Sequence, residues 1–278
     1  MKIENYIRFY GKSFYWAGKF LEKEVFEDCS TLYAFCRVID NLVDKKSNSK
    51  TNVKKFIKDY QSQNSKIQVN KEFKKIETKY QIPKKYINDL FYGINLDTKT
   101  VKIKSTKEII KYSYYVAGTV GAMMSYIFQT SKPQAIKHAI NLGIAMQLTN
   151  ISRDVLKDAY LNRIYLPKNM LNEEITANDI IKKKFNKKHL FLVIKKIIFL
   201  SEKYYDNGNI GIKYLPKKVK FPIFLASSLY RGIGKKIFSS SYNRYFFLDR
   251  TYLNFMEKII ITFKSFYFFF IVNNRYKN

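Results

Sequence analysis

The chain is poor in acid, glycine, proline, cysteine and histidine. Against 51 Lys and Arg stand only 22 Asp and Glu, a formal net charge of +29 over 278 residues. Ten Gly and five Pro are too few for a barrel or sandwich built on tight turns. Cys29 and Cys36, the two cysteines, have no His or Cys partner at ligand spacing. They read as reduced core thiols and not as a zinc site or disulfide framework. The two histidines, His138 and His189, come with no nucleophile–acid constellation, and there is no Gly-rich P-loop for a nucleotide. No apolar run reaches the about 18–20 residues that cross a bilayer; Ile259 to Val272 comes nearest, is shorter, and carries Lys264. The start of the chain, Met1 to Asn5, has no apolar core or small-residue cleavage signature, so a cytoplasmic protein is expected.

What is present is apolar bulk: 46% hydrophobic and 17% aromatic residues, enough for a large core. Apolar positions recur every three or four residues through 14–44, 106–129, 133–160, 190–206 and 221–238, without sustained alternation. Breaks are expected at the polar stretch Lys45 to Lys55 and at Ile82-Pro83, Lys132-Pro133, Leu166-Pro167, Leu215-Pro216 and Phe221-Pro222. With no internal repeat and no linker, one all-α domain over residues 1–278 is expected. From Asn207 to Leu248 there is no acid at all, a field that attracts phosphate on nucleic acid, lipid or a small substrate.

Two segments place carboxylates where chemistry needs them. On a helix, Tyr33, Arg37, Asp40 and Asp44 fall at about 0°, 40°, −20° and 20°. In the second segment Gln147, Asn150, Asp154 and Asp158 fall at about 0°, −60°, −20° and 20°. A single D-x-x-x-D is most simply a surface charge pair. Two of them, each with amide, Arg or Tyr on the same stripe and apolar flanks, point to facing acidic stripes. Such oxygen-only donors suit Mg²⁺ completed by substrate phosphates. Ala139, Gly143 and Ala145 upstream are small enough to admit a neighbouring helix or ligand. Removing one charge from either stripe is expected to relieve repulsion and leave the fold intact.

Lys12-Ser13-Phe14, the Tyr33–Asp44 segment, Tyr112-Ser113-Tyr114-Tyr115-Val116-Ala117-Gly118-Thr119-Val120-Gly121, and Gln147 through Asp158 into Arg163-Ile164-Tyr165-Leu166-Pro167 resemble, in order and spacing, the phytoene/squalene synthase family. The resemblance implies an α-helical isoprenoid-synthase fold with a central cavity. There two prenyl diphosphates would join head to head through a cyclopropylcarbinyl diphosphate. It implies that Asp40, Asp44, Asp154 and Asp158 hold Mg²⁺, with Mn²⁺ as an alternative, against the diphosphates. It further implies diphosphate contacts at Ser13, Tyr33 and Arg37, and a polar end lined by Tyr112, Gln147, Asn150 and Arg153; Phe14 and Tyr165 complete the substrate-binding set. Asn41, Lys157, Gly11 and Asn162 depart from the family's usual Asp, acid, Ser and Gly.

Phytoene from two geranylgeranyl diphosphates needs no reductant and is the first expectation. Squalene, presqualene diphosphate or dehydrosqualene from farnesyl diphosphate is the alternative, with NADPH required only for squalene. A basic helical nucleic-acid binder accounts for the charge but not for acids on apolar-flanked stripes, so nucleic acid is not an expected partner. The acid-free stretch and the aromatic end Ile259–Tyr276 suggest contact with the anionic inner membrane face. Oligomeric state is not encoded in any feature of the sequence.

Overall fold

In a computed structural model, residues 2–45, 48–99, 101, 103–130, 132–172, 174–248 and 250–272 are described, and among them there is no strand. The helices are α1 (Ile3–Tyr10), α2 (Lys12–Gly18), α3 (Lys23–Val43), α4 (Ser49–Gln61), α5 (Gln68–Lys79), α6 (Lys84–Leu96), α7 (Thr106–Ser113) and α8 (Thr119–Ile127). They continue as α9 (Pro133–Arg153), α10 (Val155–Tyr160), α11 (Ala177–Ile181), α12 (Lys187–Ile210), α13 (Lys217–Phe238), α14 (Tyr242–Phe247) and α15 (Phe255–Tyr267). Among the described residues no helix is long and apolar enough to cross a membrane.

α9 is the hub. It packs on α7, α8, α12 and α13, and Pro133 opens it at the position where a missing N–H costs nothing. The glycines serve these contacts. A Cβ on Gly121 would stand 2.2 Å from the Ala139 carbonyl oxygen, and one on Gly143 would stand 2.2 Å from that of Ala117. α8 and α9 therefore touch backbone to backbone, as the small residues upstream of the second stripe suggest. Two apolar clusters result. One, around Phe35, Phe56, Phe73 and Phe91, joins α3 to α6 and α8, with Phe35 and Phe73 stacked at 4.0 Å. The other gathers α7 and α9 to α14 around Leu148, Ile194, Leu225 and Leu229.

No described glycine has positive φ; that role falls to Asn48, Gln81, Gln129, Asn162 and Lys183. Asn162 shows why. After α10, its N–H bonds the Ala159 carbonyl at 2.8 Å and the Arg163 N–H bonds that of Asp158 at 2.9 Å. This paired closure of a helix end needs a left-handed residue between them. Asn tolerates that conformation best after Gly, which makes Asn162 a workable replacement for the family's usual glycine.

Several expected boundaries are corrected. Phe221-Pro222 is no break: α13 starts at Lys217 behind Pro216 and runs through Pro222. Proline there forfeits one backbone bond, to the Lys218 carbonyl, while Phe221, Phe224 and Leu225 are buried around it. Residues 14–44 are two helices parted at 19–22, and 133–160 is broken at Asp154. Residues 106–129 contain a π-turn at Tyr114–Gly118, inside the Tyr112–Gly121 motif; such insertions re-aim side chains at functional sites. The polar stretch from Lys45 ends where α4 begins at Ser49, and α5 and α6 follow. Lys and Asn dilute the apolar stripes of these helices, whose buried positions (Val53, Phe56, Tyr60; Val69, Phe73, Ile76) keep helical spacing.

Candidate active site

A cavity of about 390 Å³ opens between the two clusters, inside the usual range for small-molecule sites. Its polar end is built by α3 and α9, which contribute Tyr33, Arg37 and Asp40, and Gln147, Asn150 and Arg153. Phe14 and Tyr112 also line it. The rest is mostly apolar: large side chains such as Phe26, Met124, Phe128 and Met146 alternate with small ones, Ala17, Gly18, Ala117, Gly121, Ala139, Gly143 and Ala226. Cys29 and Cys36 are free thiols in this wall. Burial pushes both up in pKa, Cys36 to about 12, so they sit there neutral and inert. Ser13, Asp44, Asp154, Asp158 and Tyr165 stand outside the lining.

The four aspartates meet their cations differently. Arg37 donates to Asp40 at 2.8 Å and lies over the Tyr10 ring at 4.4 Å. Asp40 keeps 42% of its side chain exposed, yet the solvent it meets is that of the cleft. Desolvation there lifts its pKa more than Arg37 lowers it, with Asp44 adding to the rise. Asp44 accepts from Arg163 at 2.7 Å, and the same guanidinium reaches the Val43 carbonyl at 2.9 Å. The αL residue Asn162 delivers Arg163 to that position. Asp154 is gripped from both sides, by Arg153 at 2.8 and 2.6 Å and by Arg250 at 2.8 Å. Burial alone would raise Asp154, but these guanidiniums hold it below the ordinary carboxylate range. The Asp158 carboxylate accepts no hydrogen bond among the described residues. Burial, then Asp154, pushes it well above the ordinary range, and Lys157 and Arg163 only partly offset this. Lys157 is exposed, as its angle on the helix suggests, and its charge also reaches Asp40 on α3.

Relief of repulsion therefore does not fit Asp154, whose loss would strand two arginines. The break at Asp154 is the reason: α9 ends at Arg153, and the backbone there, at φ −105° and ψ 17°, leaves neighbouring side chains free to pair.

The donor set fits a hard divalent cation. Asp158 is a half-buried carboxylate with no hydrogen-bonded cation among the described residues, and the Oδ1 of Asn150 and Nε of Arg37 are buried without partners. Such orphaned polar atoms are costly unless a ligand satisfies them. Among the described residues no three His, Cys, Asp or Glu groups form a ready metal cage, which agrees with a shell completed by phosphate oxygens.

Two functional candidates escape the sequence reading. Asp97, at the end of α6, lines the cavity and is buried. It accepts from the hydroxyls of Tyr112 at 2.8 Å and Tyr165 at 3.0 Å, whose rings stack at 4.9 Å. Tyr165 thus acts as a prop beneath Tyr112. Burial lifts Asp97 to about 7 against the pull of the two hydroxyls and Arg163. Arg250, between α14 and α15, lines the cavity as well. Neither repeats a spacing: Asp97 lies 15 residues from Tyr112 and 68 from Tyr165, and Arg250 lies 96 from Asp154.

The family model for squalene/phytoene synthase matches residues 7–257, which takes in both acidic segments, Asp97 and Arg250. The chain belongs to the squalene/phytoene synthase family. It is therefore a prenyltransferase of the type that condenses prenyl diphosphates head to head. Relatives include the 15-cis-phytoene synthase of Enterobacter agglomerans, 29% identical over 240 residues and 81% of each chain. The phytoene synthase of Cereibacter sphaeroides is 29% identical over 246 residues, 83% of this chain and 69% of that protein. In fold, the chain superposes on a dehydrosqualene synthase solved with ligand at TM-score 0.82 and 24% identity, covering 96% and 94% of the two chains. A squalene synthase from Alicyclobacillus acidocaldarius gives 0.72 at 18% identity, covering 87% and 91%. The all-α isoprenoid-synthase fold with a central cavity is thereby established.

Proposed function

We propose that the chain joins two molecules of geranylgeranyl diphosphate to phytoene, with release of diphosphate and no reductant. The observation that carries this reading is the cavity that gathers Arg37, Asp40, Gln147, Asn150 and Arg153 and is otherwise lined mostly by apolar side chains. A diphosphate seats its oxygens on Arg37, Arg153 and the Asn150 and Gln147 amides, with Tyr33 on the same wall. The prenyl chains lie along the mostly apolar walls. Asp40, Asp44, Asp154 and Asp158 would hold Mg²⁺ between themselves and the diphosphate. When bound, the metal supplies charge neutralisation of the leaving group. The pocket excludes water from the developing carbocation, and the faces of Phe14, Tyr33 and Tyr230 at the polar end attract it. Tyr112, held by Asp97, keeps its proton, because burial and the adjacent carboxylate push it well above its ordinary pKa.

The relatives named as phytoene synthases support the longer substrate. The fold match to a dehydrosqualene synthase favours, as the second reading, farnesyl diphosphate and a dehydrosqualene, presqualene or squalene product. Incubation with labelled farnesyl and geranylgeranyl diphosphates, with and without Mg²⁺ (or Mn²⁺) and NADPH, separates them. Phytoene formed from the longer substrate with metal and without NADPH is expected. Preferential consumption of the shorter substrate would install the second reading.

A further inference from the structure

α15 packs on α13 with one side only. Its other side is a stripe of Phe255, Met256, Ile260, Phe263, Phe266 and Tyr267, all exposed and gathered within an arc of about 140° on the helical wheel. Phe263, at the centre of the stripe, is 73% exposed and Phe255 65%. The stripe contains no acid and no base. The acid on this helix, Glu257, points away from the stripe and is paired with Lys236 at 2.7 Å. The helix is firmly started by Asn254 and Glu257, whose side chains cap each other's backbone N–H at 2.8 and 2.7 Å. This is a formed surface helix with a largely exposed aromatic face.

The patch extends beyond α15. The Phe221 ring sits 5.3 Å from that of exposed Phe20, 6.0 Å from Phe266 and 5.3 Å from Phe270. Trp16 meets Phe255 edge-on at 5.6 Å and donates to the Thr262 hydroxyl at 3.0 Å. Lysines rim this aromatic surface: the ammonium groups of Lys19 and Lys258 stand 5.7 and 5.8 Å from the Trp16 ring, and Lys264 is exposed at the stripe's edge. The acid-free stretch Asn207–Leu248 contributes less to this surface than its composition suggests. Most of it is α13, whose Val219, Phe224, Leu225 and Leu229 are core.

We propose that the α15 face, with Phe20 and its rim of lysines, docks on the surface of an anionic lipid bilayer. Aromatic side chains ringed by Lys match an acyl–headgroup boundary bearing negative charge. The same features argue against a second copy of this chain, because a two-fold contact would set the lysine rims against each other in a protein of net charge +29. α2 and α13 line the cavity through Ala17, Gly18, Pro222 and Ala226 and carry the docking face on their far side. A hydrocarbon product, on the reading above, thus lies one helix layer from lipid.

Flotation with vesicles of phosphatidylcholine alone and of equimolar phosphatidylcholine and phosphatidylglycerol, without substrate, tests the proposal independently of the reaction. The full chain should float with the anionic vesicles and release as salt rises. Phe255→Ser with Phe263→Ser should weaken vesicle affinity by at least about ten-fold on both lipids. Lys19→Gln with Lys264→Gln should remove the preference for anionic lipid. Trp16, the one tryptophan, reports directly: brominated acyl chains should quench it in the full chain and not in the Phe255/Phe263 variant. An unchanged melting temperature and unchanged turnover of detergent-dispersed substrate show that the variants are folded. Flotation indifferent to these substitutions would overturn the proposal. So would sedimentation of the free protein as a dimer that the Phe255/Phe263 pair abolishes, since the face would then belong to a second copy.

Discussion

The two acidic segments carry the same D-x-x-x-D spacing but are built in opposite ways. Asp40 and Asp44 ride at the end of one uninterrupted helix, α3, and each is met by one arginine: Arg37 from one turn back, Arg163 from across the fold. Asp154 and Asp158 share the first turn after a helix break, with the Asp158 N–H bonding the Asp154 carbonyl at 2.8 Å, and their cations are distributed unevenly. Asp154 takes both Arg153 and Arg250, while Asp158 has none within hydrogen-bonding reach among the described residues. Equal spacing thus yields one carboxylate that knits the structure together and another whose charge the fold does not satisfy. The unsatisfied one is where a bound cation gains most.

The largest effect expected from this contrast is on stability at Asp154. Asp154→Asn leaves the buried Arg153 guanidinium, 9% exposed, and its partner Arg250 without their carboxylate, and should cost about 3 kcal/mol. Chemical denaturation measures it. A loss under half that size would mean that the two arginines find other partners.

Asp97 sharpens the comparison by pH. It is a carboxylate of the cavity wall, held by hydroxyls instead of guanidiniums and lifted by burial to about 7, well above the ordinary carboxylate range. Its folded pKa lies above its unfolded one, so the fold prefers the protonated form. The stability this provides is full below about pH 4 and is lost as pH rises through 7. Asp97→Asn, neutral at every pH, should remove that slope, so that the variant's melting temperature gains on the parent's as pH rises from 4 to 8. Parallel curves from pH 4 to 8 would show that Asp97 ionises at its ordinary value.

The smallest effect lies in the turn that brings Arg163 to Asp44. Asn162→Ala places a β-carbon in a left-handed conformation (φ 58°) and should cost about 1 kcal/mol, whereas Asn162→Gly should gain a few tenths. Equal stability of the two variants would contradict the turn's assigned role.

Much of the site was legible because helix geometry is local. Tyr33, Arg37 and Asp40 share a stripe on α3, and Gln147 and Asn150 of the second stripe line the cavity from α9, while Asp154 and Asp158 of that stripe stand outside the lining and Arg153 was expected from the family resemblance. The αL turn was half visible, in an Asn where relatives usually have Gly. What stayed hidden depends on tertiary approach. Asp97 finds its tyrosines only when α6, α7 and the segment after α10 converge, and Arg250 reaches Asp154 from a loop far along the chain. The pairing of Asp154 was misread for a related reason: the stripe assumes one continuous helix, and the break turns a neighbouring arginine into a partner.

The central claim is that the charge the fold leaves unsatisfied at Asp158 serves the substrate's diphosphate and its metal. Mg²⁺-dependent diphosphate release from geranylgeranyl diphosphate by Asp158→Asn, with its melting temperature measured on the same preparation, tests this most directly. The account predicts a protein at least as stable as the parent and turnover reduced by about a thousand-fold or more. Parental turnover in ordinary Mg²⁺ by a well-folded Asp158→Asn protein would contradict it.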